Sequence, residues 1–200
     1  MTFSAHYWQA LKEAEAHHAR SKTYSGRFLR PHVPFIAELI KQRGCQSVLD
    51  YGCGKGQQYS WVSHGGEASI PAGETIESFW GIQVQKFDPA WPPYSAAPKP
   101  AHLVICTHVL GSIPLDDLSE FLDHVMGLSL RVLYIAERCG EVGKQVFSNR
   151  QRFPRGWSHE QWVRLLRTRP HHPDLDVWLA TTERDLAGGK RLRRERVVRC

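Results

Sequence analysis

Short apolar runs alternate with stretches of helical periodicity along most of the chain. Apolar residues recur at helical spacing over residues 5–20, over residues 31–43 and after Pro114, so three amphipathic helices are predicted there. A further helix is predicted after Ser158, because Ser158 and Gln161 form a capping-box signature ahead of apolar residues. Aliphatic and β-branched runs predict six strands, at residues 47–51, 82–87, 102–107, 131–136, 175–182 and 190–199.

The order of these elements predicts an α/β fold. Strands that alternate with helices favour a Rossmann-like three-layer sandwich with a mostly parallel sheet, and the last two runs predict an antiparallel C-terminal hairpin around Ala187-Gly188-Gly189. With 200 residues and 42% hydrophobic content, the chain is expected to form a single domain. Its predicted parts are N-terminal helices (1–44), a cofactor-binding core (45–140) and a substrate-side helix with the hairpin (141–200).

Charge is unevenly distributed along the chain. The formal net charge is +6, and residues 150–200 carry 13 Lys and Arg against 6 Asp and Glu. No apolar run approaches the roughly 18 residues that a membrane span needs, and the first residues lack a signal-peptide pattern. Five cysteines without a C-x-x-C pair are typical of reduced thiols. We therefore expect a cytoplasmic protein that does not associate with membranes.

A glycine-rich turn follows the first predicted strand. Gly52, Gly54 and Gly56 have the spacing G-x-G-x-G, with Asp50 two positions ahead. After a strand of an open α/β sheet, such a turn lets a ligand approach the backbone, and a helix predicted over residues 57–63 would offer free N–H groups. The dinucleotide fingerprint needs glycine where Gln57 stands, which disfavours a nicotinamide-dependent oxidoreductase. The lysine of the turn is outside a P-loop frame.

This turn resembles the first motif of class I S-adenosylmethionine-dependent methyltransferases, of the small stand-alone bacterial and phage type. The resemblance covers residues 48–136 and implies a seven-stranded sheet whose last strand is antiparallel. It also implies that the loop passes under the methionine part of S-adenosylmethionine and that Asp50 helps to hold the ammonium group. The expected contacts on the loop are Gly52, Cys53, Gly54 and Gly56.

Two later segments match the same family. Asp88, followed by Pro89, ends the second predicted strand, where the family places an acid that accepts both ribose hydroxyls. A carboxylate suits two O–H donors because it is an acceptor only. The strand that ends at Thr107 resembles the family's fourth strand, in which an acid often stands at the position of His108. The resemblance therefore makes Thr107 and His108 expected cofactor contacts.

Few catalytic groups are expected, because methyl transfer from a sulfonium is an in-line displacement in which the enzyme mainly supplies proximity. His108 and His159 are the predicted bases for a hydroxyl or amine acceptor, and a core or rim histidine is the alternative for His108. The histidine pairs at 17–18 and 171–172 lack partners at ligand spacing, so no metal site is expected.

The acceptor is predicted to be a small molecule, because the chain shows no added recognition domain and only residues 1–31 and 144–173 are expected to cover the site. Glu137-Arg138 and the arginines at 150, 152 and 155 are predicted on the rim where this fold binds its acceptor. The alternative is a non-catalytic S-adenosylmethionine- or nucleotide-binding module, or an RNA-binding protein that uses the basic C-terminal quarter. A charged edge strand that resists aggregation explains the basic run at 190–196 equally well.

Overall fold

A six-stranded sheet forms the centre of the molecule. The computed structural model describes residues 3–20, 24–66, 69–139, 153–154, 156–184 and 189–197. The strand order is β2-β1-β3-β4-β5-β6. The first five strands are parallel, and β6 pairs antiparallel with β5 at the edge. The strands are β1 (Val48–Tyr51), β2 (Val84–Phe87), β3 (Ala101–Thr107), β4 (Ser129–Arg138), β5 (Asp176–Arg184) and β6 (Lys190–Val197).

The structure contains the six strands predicted from the apolar runs but not the seventh strand implied by the family resemblance, within the residues that it describes. Each of the six apolar runs forms one strand at the predicted place, within two or three residues at the ends, as far as the described residues extend. The seventh strand, which only the family resemblance implied, is absent from the residues that the structure describes, so that expectation is wrong. The physical reason is that the hydrophobic pattern holds no seventh run of strand type for the sheet to use.

Helices cover both faces of the sheet. One face packs against α2 and α3 around buried residues such as Ile36 and Trp80. The other face packs against α4 and α5 around residues such as Phe121 and Trp162. None of the described helices is both long and apolar enough to cross a membrane. The helices are α1 (Ala5–Arg20), α2 (Val33–Arg43), α3 (Ile76–Trp80), α4 (Leu118–Leu128) and α5 (His159–Arg167).

Two predicted helices differ from the observed ones because side chains and backbone groups bond elsewhere. The α4 helix begins at Leu118 rather than at Pro114, and the carboxylate of Asp117 binds Ser4 of the N-terminal segment instead of capping it. The helix predicted over residues 57–63 is reduced to one 3-10 turn, Gln57–Tyr59. The N–H of Ser63 donates to Glu74 O at 2.8 Å, which draws the chain away from a helical path.

The strand order reverses beside β1, because β2 lies on one side of it and β3 on the other. In an open α/β sheet, this reversal opens a crevice outside the carboxyl ends of the two neighbouring strands, where ligands bind. The glycine turn after β1 and the segment that contains His108 after β3 both lie at this edge. The fold therefore brings the sequence-predicted loop to the place where a ligand site is expected.

Candidate functional site

The glycine loop after β1 is closely packed by other parts of the chain. Gly52 and Gly54 have φ values of 85° and 60°, in the left-handed region that favours glycine. A Cβ at Gly54 would overlap the backbone carbonyl of Tyr24, and one at Gly52 would overlap the side chain of Val109. The loop is thus covered by the segment that follows α1 and by the one that follows β3. Its thiol, Cys53, is buried, and its Sγ donates to Gly54 O at 3.4 Å.

Asp50 lies beneath this loop rather than on an open surface. Its side chain is buried, and Oδ2 accepts hydrogen bonds from Tyr59 OH at 2.8 Å and from Gln58 Nε2 at 3.0 Å. Burial raises the pKa of Asp50 to about 7, although these two hydrogen bonds act in the opposite direction. The carboxyl group that the family resemblance assigned to the cofactor ammonium is therefore bound by residues of the chain itself.

Asp88 joins the glycine loop to the end of β2. Its Oδ2 accepts from Gly54 N at 2.8 Å, and its Oδ1 accepts from Ala90 N at 2.9 Å. Burial is the main cause that raises the pKa of Asp88, while nearby His18 and both backbone donors lower it. Each carboxylate oxygen has two acceptor sites, so both retain capacity for a ligand donor. The structure thus brings together Asp88 and Gly54, which are 34 positions apart and were both expected to contact the cofactor.

A cleft of about 110 Å³ opens beside Asp88. Pro89 and Gly52 line it together with His108, so several sequence-predicted residues meet there. Its outer wall is α1, within the segment 1–31 that was expected to cover the site, although the contacting side chains were not predicted. Their signal in the sequence is the helical spacing i, i+3, i+4, i+7 and i+11, which places them on one face. The residues that α1 contributes are Tyr7, Ala10, Leu11, Ala14 and His18.

His18 is the most informative of these α1 residues. It is 3% exposed, and its Nδ1 is buried without a hydrogen-bond partner among the described residues. The ring packs against Tyr24, with the centroids 4.2 Å apart. Burial lowers the pKa of His18, although the nearby Asp88 carboxylate raises it. A buried polar atom without a partner is costly, so Nδ1 is suited to a hydrogen bond with a ligand in the cleft.

The segment after β3 forms the opposite wall. Its first residue, His108, adopts a left-handed φ of 59°, and its N–H donates to Ala136 O at 2.7 Å. Burial, followed by the charge of Arg138, lowers the pKa of His108 to about 3. An imidazole with this pKa is neutral near pH 7 and is a weak proton acceptor, which argues against the predicted role as general base. Thr107, before it, has a buried Oγ1 without a partner in the described chain.

Glu137, at the end of β4, fixes the segment that follows His108. Its Oε1 accepts from Leu110 N at 2.8 Å, and the N–H groups of Val109 and Gly111 also lower the pKa of its carboxyl. Burial outweighs these bonds and raises the pKa of Glu137 to about 8. Glu137 was predicted on the rim where this fold binds its acceptor. In the structure its side chain is buried and accepts hydrogen bonds from backbone N–H groups.

His159 lies elsewhere, in a groove between α5 and β6. It is fully buried, its Nδ1 lies 2.7 Å from Thr181 Oγ1, and its Nε2 lies 3.0 Å from Glu195 Oε2. Three strand spacings, or ~14 Å, separate β5 from β1. The structure therefore does not bring His159 to the cleft, and the predicted base for an acceptor there is not provided by this residue.

Residues 150, 152 and 155, predicted as acceptor contacts, lie outside the described residues. Within the described ranges, no three His, Cys, Asp or Glu side chains group closely enough to hold a metal ion. No protein-family model matches the chain, and no curated protein or solved structure matches it either. Function is therefore inferred from the geometry of the cleft.

Proposed function

We propose that the cleft binds S-adenosylmethionine and that the protein transfers its methyl group to an acceptor. The observation that carries this proposal is the position of Asp88, which lies beside the glycine loop and faces an apolar cleft at the point where the strand order reverses. A carboxylate in this place accepts hydrogen bonds and carries negative charge. Both properties favour a ribose over a pyrophosphate.

The polar and apolar groups that line the cleft suit such a cofactor chemically. Asp88 would accept from the ribose hydroxyls, and the free Nδ1 of His18 would bind a polar edge of the base or sugar. Aromatic and aliphatic walls, such as Tyr7 and Ile113, suit an adenine ring. The enclosed volume of about 110 Å³ is smaller than the roughly 300 Å³ at which ligand pockets begin. The cleft would therefore hold one part of the cofactor, with the rest extending out of it.

The cofactor supplies a methyl group that is already activated by the positive sulfur. The residues of the chain need only hold the two reactants in line and exclude water, so transfer to an acceptor that is not deprotonated needs no base at His108. His108 remains a candidate for positioning, because the hydrogen bond from its N–H to β4 and the bonds of Glu137 to the following turn fix this wall.

Calorimetric titration of S-adenosylmethionine and S-adenosylhomocysteine tests the proposal. We expect micromolar binding to the wild type and at least tenfold weaker binding to Asp88→Asn, which is about 1.4 kcal/mol. Asn keeps one acceptor oxygen but loses the charge and half of the acceptor capacity. Asp174→Asn is the matched control, because the side chain of Asp174 is 84% exposed. Asp174 precedes β5 and therefore lies near the amino end of that strand, whereas the cleft lies at the carboxyl ends.

Equal binding to the wild type and to Asp88→Asn would contradict the proposed ribose contact. Absence of binding by either ligand at millimolar concentration to folded protein would contradict the cofactor assignment itself. Thermal unfolding of each variant shows whether a loss of binding reflects a loss of folding.

A second candidate function is a cofactor-binding module without turnover. The low pKa of His108 favours it, because the base that was predicted for a hydroxyl or amine acceptor is ineffective near neutral pH. Incubation with methyl-labelled cofactor and separate small-molecule and RNA extracts distinguishes the two. Label in either extract supports transfer, whereas tight binding without transfer to either supports the module.

A further inference from the structure

We propose that a surface beside the cleft binds single-stranded nucleic acid and that this strand carries the acceptor group. The surface, here called the arginine–aromatic surface, is centred on the 3-10 segment Arg27–His32. The choice of acceptor depends on the proposed methyl transfer, whereas binding of the strand does not. The members of the surface are Arg27, Phe28, Arg30, Phe35, Trp61, Arg138 and Arg194.

Each aromatic ring of this surface is paired with at least one guanidinium group. Arg138 Cζ lies 4.3 Å from the ring centroid of Phe28, and Arg27 Cζ lies 5.8 Å from the same centroid. The corresponding distance from Arg30 to Trp61 is 4.1 Å. Bases stack on aromatic rings and on guanidinium planes, and the same guanidinium groups attract phosphate. This combination is the chemistry that recognises a nucleic-acid strand.

A third pair extends the surface toward the sheet edge. Arg194 Cζ, from β6, lies 4.9 Å from the ring centroid of Phe35, and Arg194 Nη2 donates to Pro31 O at 3.1 Å. The three pairs thus all adjoin Arg27–His32 or the first turn of α2. Repeated ring–arginine pairs fit several consecutive nucleotides, whereas one pair would suffice for a single nucleotide.

Charge along the segment agrees with this assignment. Residues 24–35 contain two arginines and neither Asp nor Glu. The surface as a whole contributes four guanidinium groups, from Arg27, Arg30, Arg138 and Arg194. A polyanionic strand is complementary to this charge.

The surface leads directly to the cleft. Phe28 is 42% exposed, and its ring lies 4.7 Å from the ring of His108 with an angle of 32° between the planes. His108 in turn lines the cleft beside Asp88. A base stacked at Phe28 would therefore lie at the mouth of the cofactor cleft. A duplex hides its base faces, so an unpaired strand is the form that this exposed ring favours.

Fluorescence anisotropy with a labelled oligouridine of about ten nucleotides tests the proposal on the full chain without cofactor. We expect Phe28→Ala to weaken binding about tenfold and Phe28→Trp to restore it, because stacking needs a ring rather than phenylalanine itself. Arg138→Gln should reduce the salt dependence of binding by about one phosphate contact. The matched controls are Trp8→Ala, an aromatic residue 52% exposed on α1, and Arg164→Gln on α5, and both should bind like the wild type.

Three results would overturn the proposal: a duplex of the same length binding as tightly as the strand, Phe28→Ala binding like the wild type, or Arg164→Gln weakening binding more than Arg138→Gln. The last would transfer binding to the basic α5 and β6 region. Oligothymidine in a parallel titration separates RNA from DNA. Strand binding without S-adenosylmethionine binding would contradict only the proposed function, and the reverse would contradict only this surface.

Discussion

The cleft and the α5–β6 groove both gather ionisable side chains, yet burial governs the first and ion pairing governs the second. At the cleft, burial raises the pKa of Asp88 above its usual range and lowers that of His108 to about 3. In the groove, hydrogen bonds lower the pKa of Glu160 to about 2, and the bond with His159 lowers that of Glu195. The pKa shifts in the cleft thus favour the neutral form of each group, whereas those in the groove favour the charged form.

This contrast favours the cleft over the groove as the proposed ligand site. The groove is the larger cavity, at about 480 Å³, but Glu195 already binds His159 at 3.0 Å, Arg193 at 3.2 Å and Arg167 at 3.4 Å. Its charges are satisfied internally, as in a structural ion-pair network. The cleft is smaller but retains a carboxylate with spare acceptor capacity and an unpartnered His18 Nδ1. The unused polar capacity of the cleft therefore supports the proposal that a ligand binds there, although the groove has the larger volume.

The largest expected effect on stability comes from a substitution where the glycine loop packs against Tyr24. Gly54→Ala should lower the free energy of unfolding by about 3 kcal/mol, because the new Cβ meets the Tyr24 carbonyl and the φ of 60° is strained for alanine. Gly73→Ala is the control: its φ is 86°, but nothing lies within 4 Å of a Cβ there, so about 1 kcal/mol is expected. Urea unfolding measures both, and equal losses would contradict the close packing of Tyr24.

The second-largest effect is the pH dependence of stability that the buried Asp50 produces. The pKa of Asp50 is raised from 3.8 to about 7 on folding, so between these pH values the folded state binds more protons than the unfolded state. Its contribution to stability is therefore present below pH 4 and is lost as the pH rises through 7, at up to about 1.4 kcal/mol per pH unit. Asp50→Asn removes this slope and keeps an acceptor for Tyr59.

Urea unfolding of the wild type and Asp50→Asn at intervals between pH 4 and 8 measures this slope. The difference between the two free energies of unfolding should change steadily from pH 4 to 7 and then level off. A difference that stays constant over this range would show that Asp50 ionises at its ordinary pKa despite its burial.

The smallest effect belongs to the groove and has the opposite sign. Because the pKa of Glu195 is lowered on folding, its contribution to stability is present above pH 4.5 and is lost as the pH falls through the lower folded value. Glu195→Gln should cost less than about 1 kcal/mol at pH 7, since its arginine partners are largely exposed. High salt should reduce this loss of unfolding free energy further. A loss that does not change with salt concentration or with acidification would contradict the description of the groove as an ion-pair network.

Elements with a strong local signal were predicted from the sequence with little error. The capping box at Ser158 is present, with Ser158 N donating to Gln161 Oε1 at 2.8 Å, and α1 spans Ala5–Arg20 as predicted. Predictions failed where long-range bonds decide, as at Asp117, whose carboxylate binds Ser4 across 113 positions. The start of α4 was therefore placed four residues too early.

The candidate site shows the same division. The glycine loop and Asp88 were selected as candidates because their residue types and spacing are local features of the chain. Residues 1–31 were expected to cover the site, but the side chains of α1 that line the cleft were not predicted, since a stripe of apolar residues does not say which of them will face a ligand. The role of His159 was misjudged for a related reason, because its burial between Thr181 and Glu195 depends on two strands that follow it.

By itself, the sequence determined the strands, most of the helices and the loop that marks one edge of the sheet. These follow from the periodicity of apolar residues and from turn chemistry, which act over a few residues. Only the tertiary structure decided the pKa values at the cleft, the closure of the cleft by α1 and the pairing of Arg138 with Phe28. Burial and electrostatic environment depend on which distant segments meet, and that information exists only once the chain has folded.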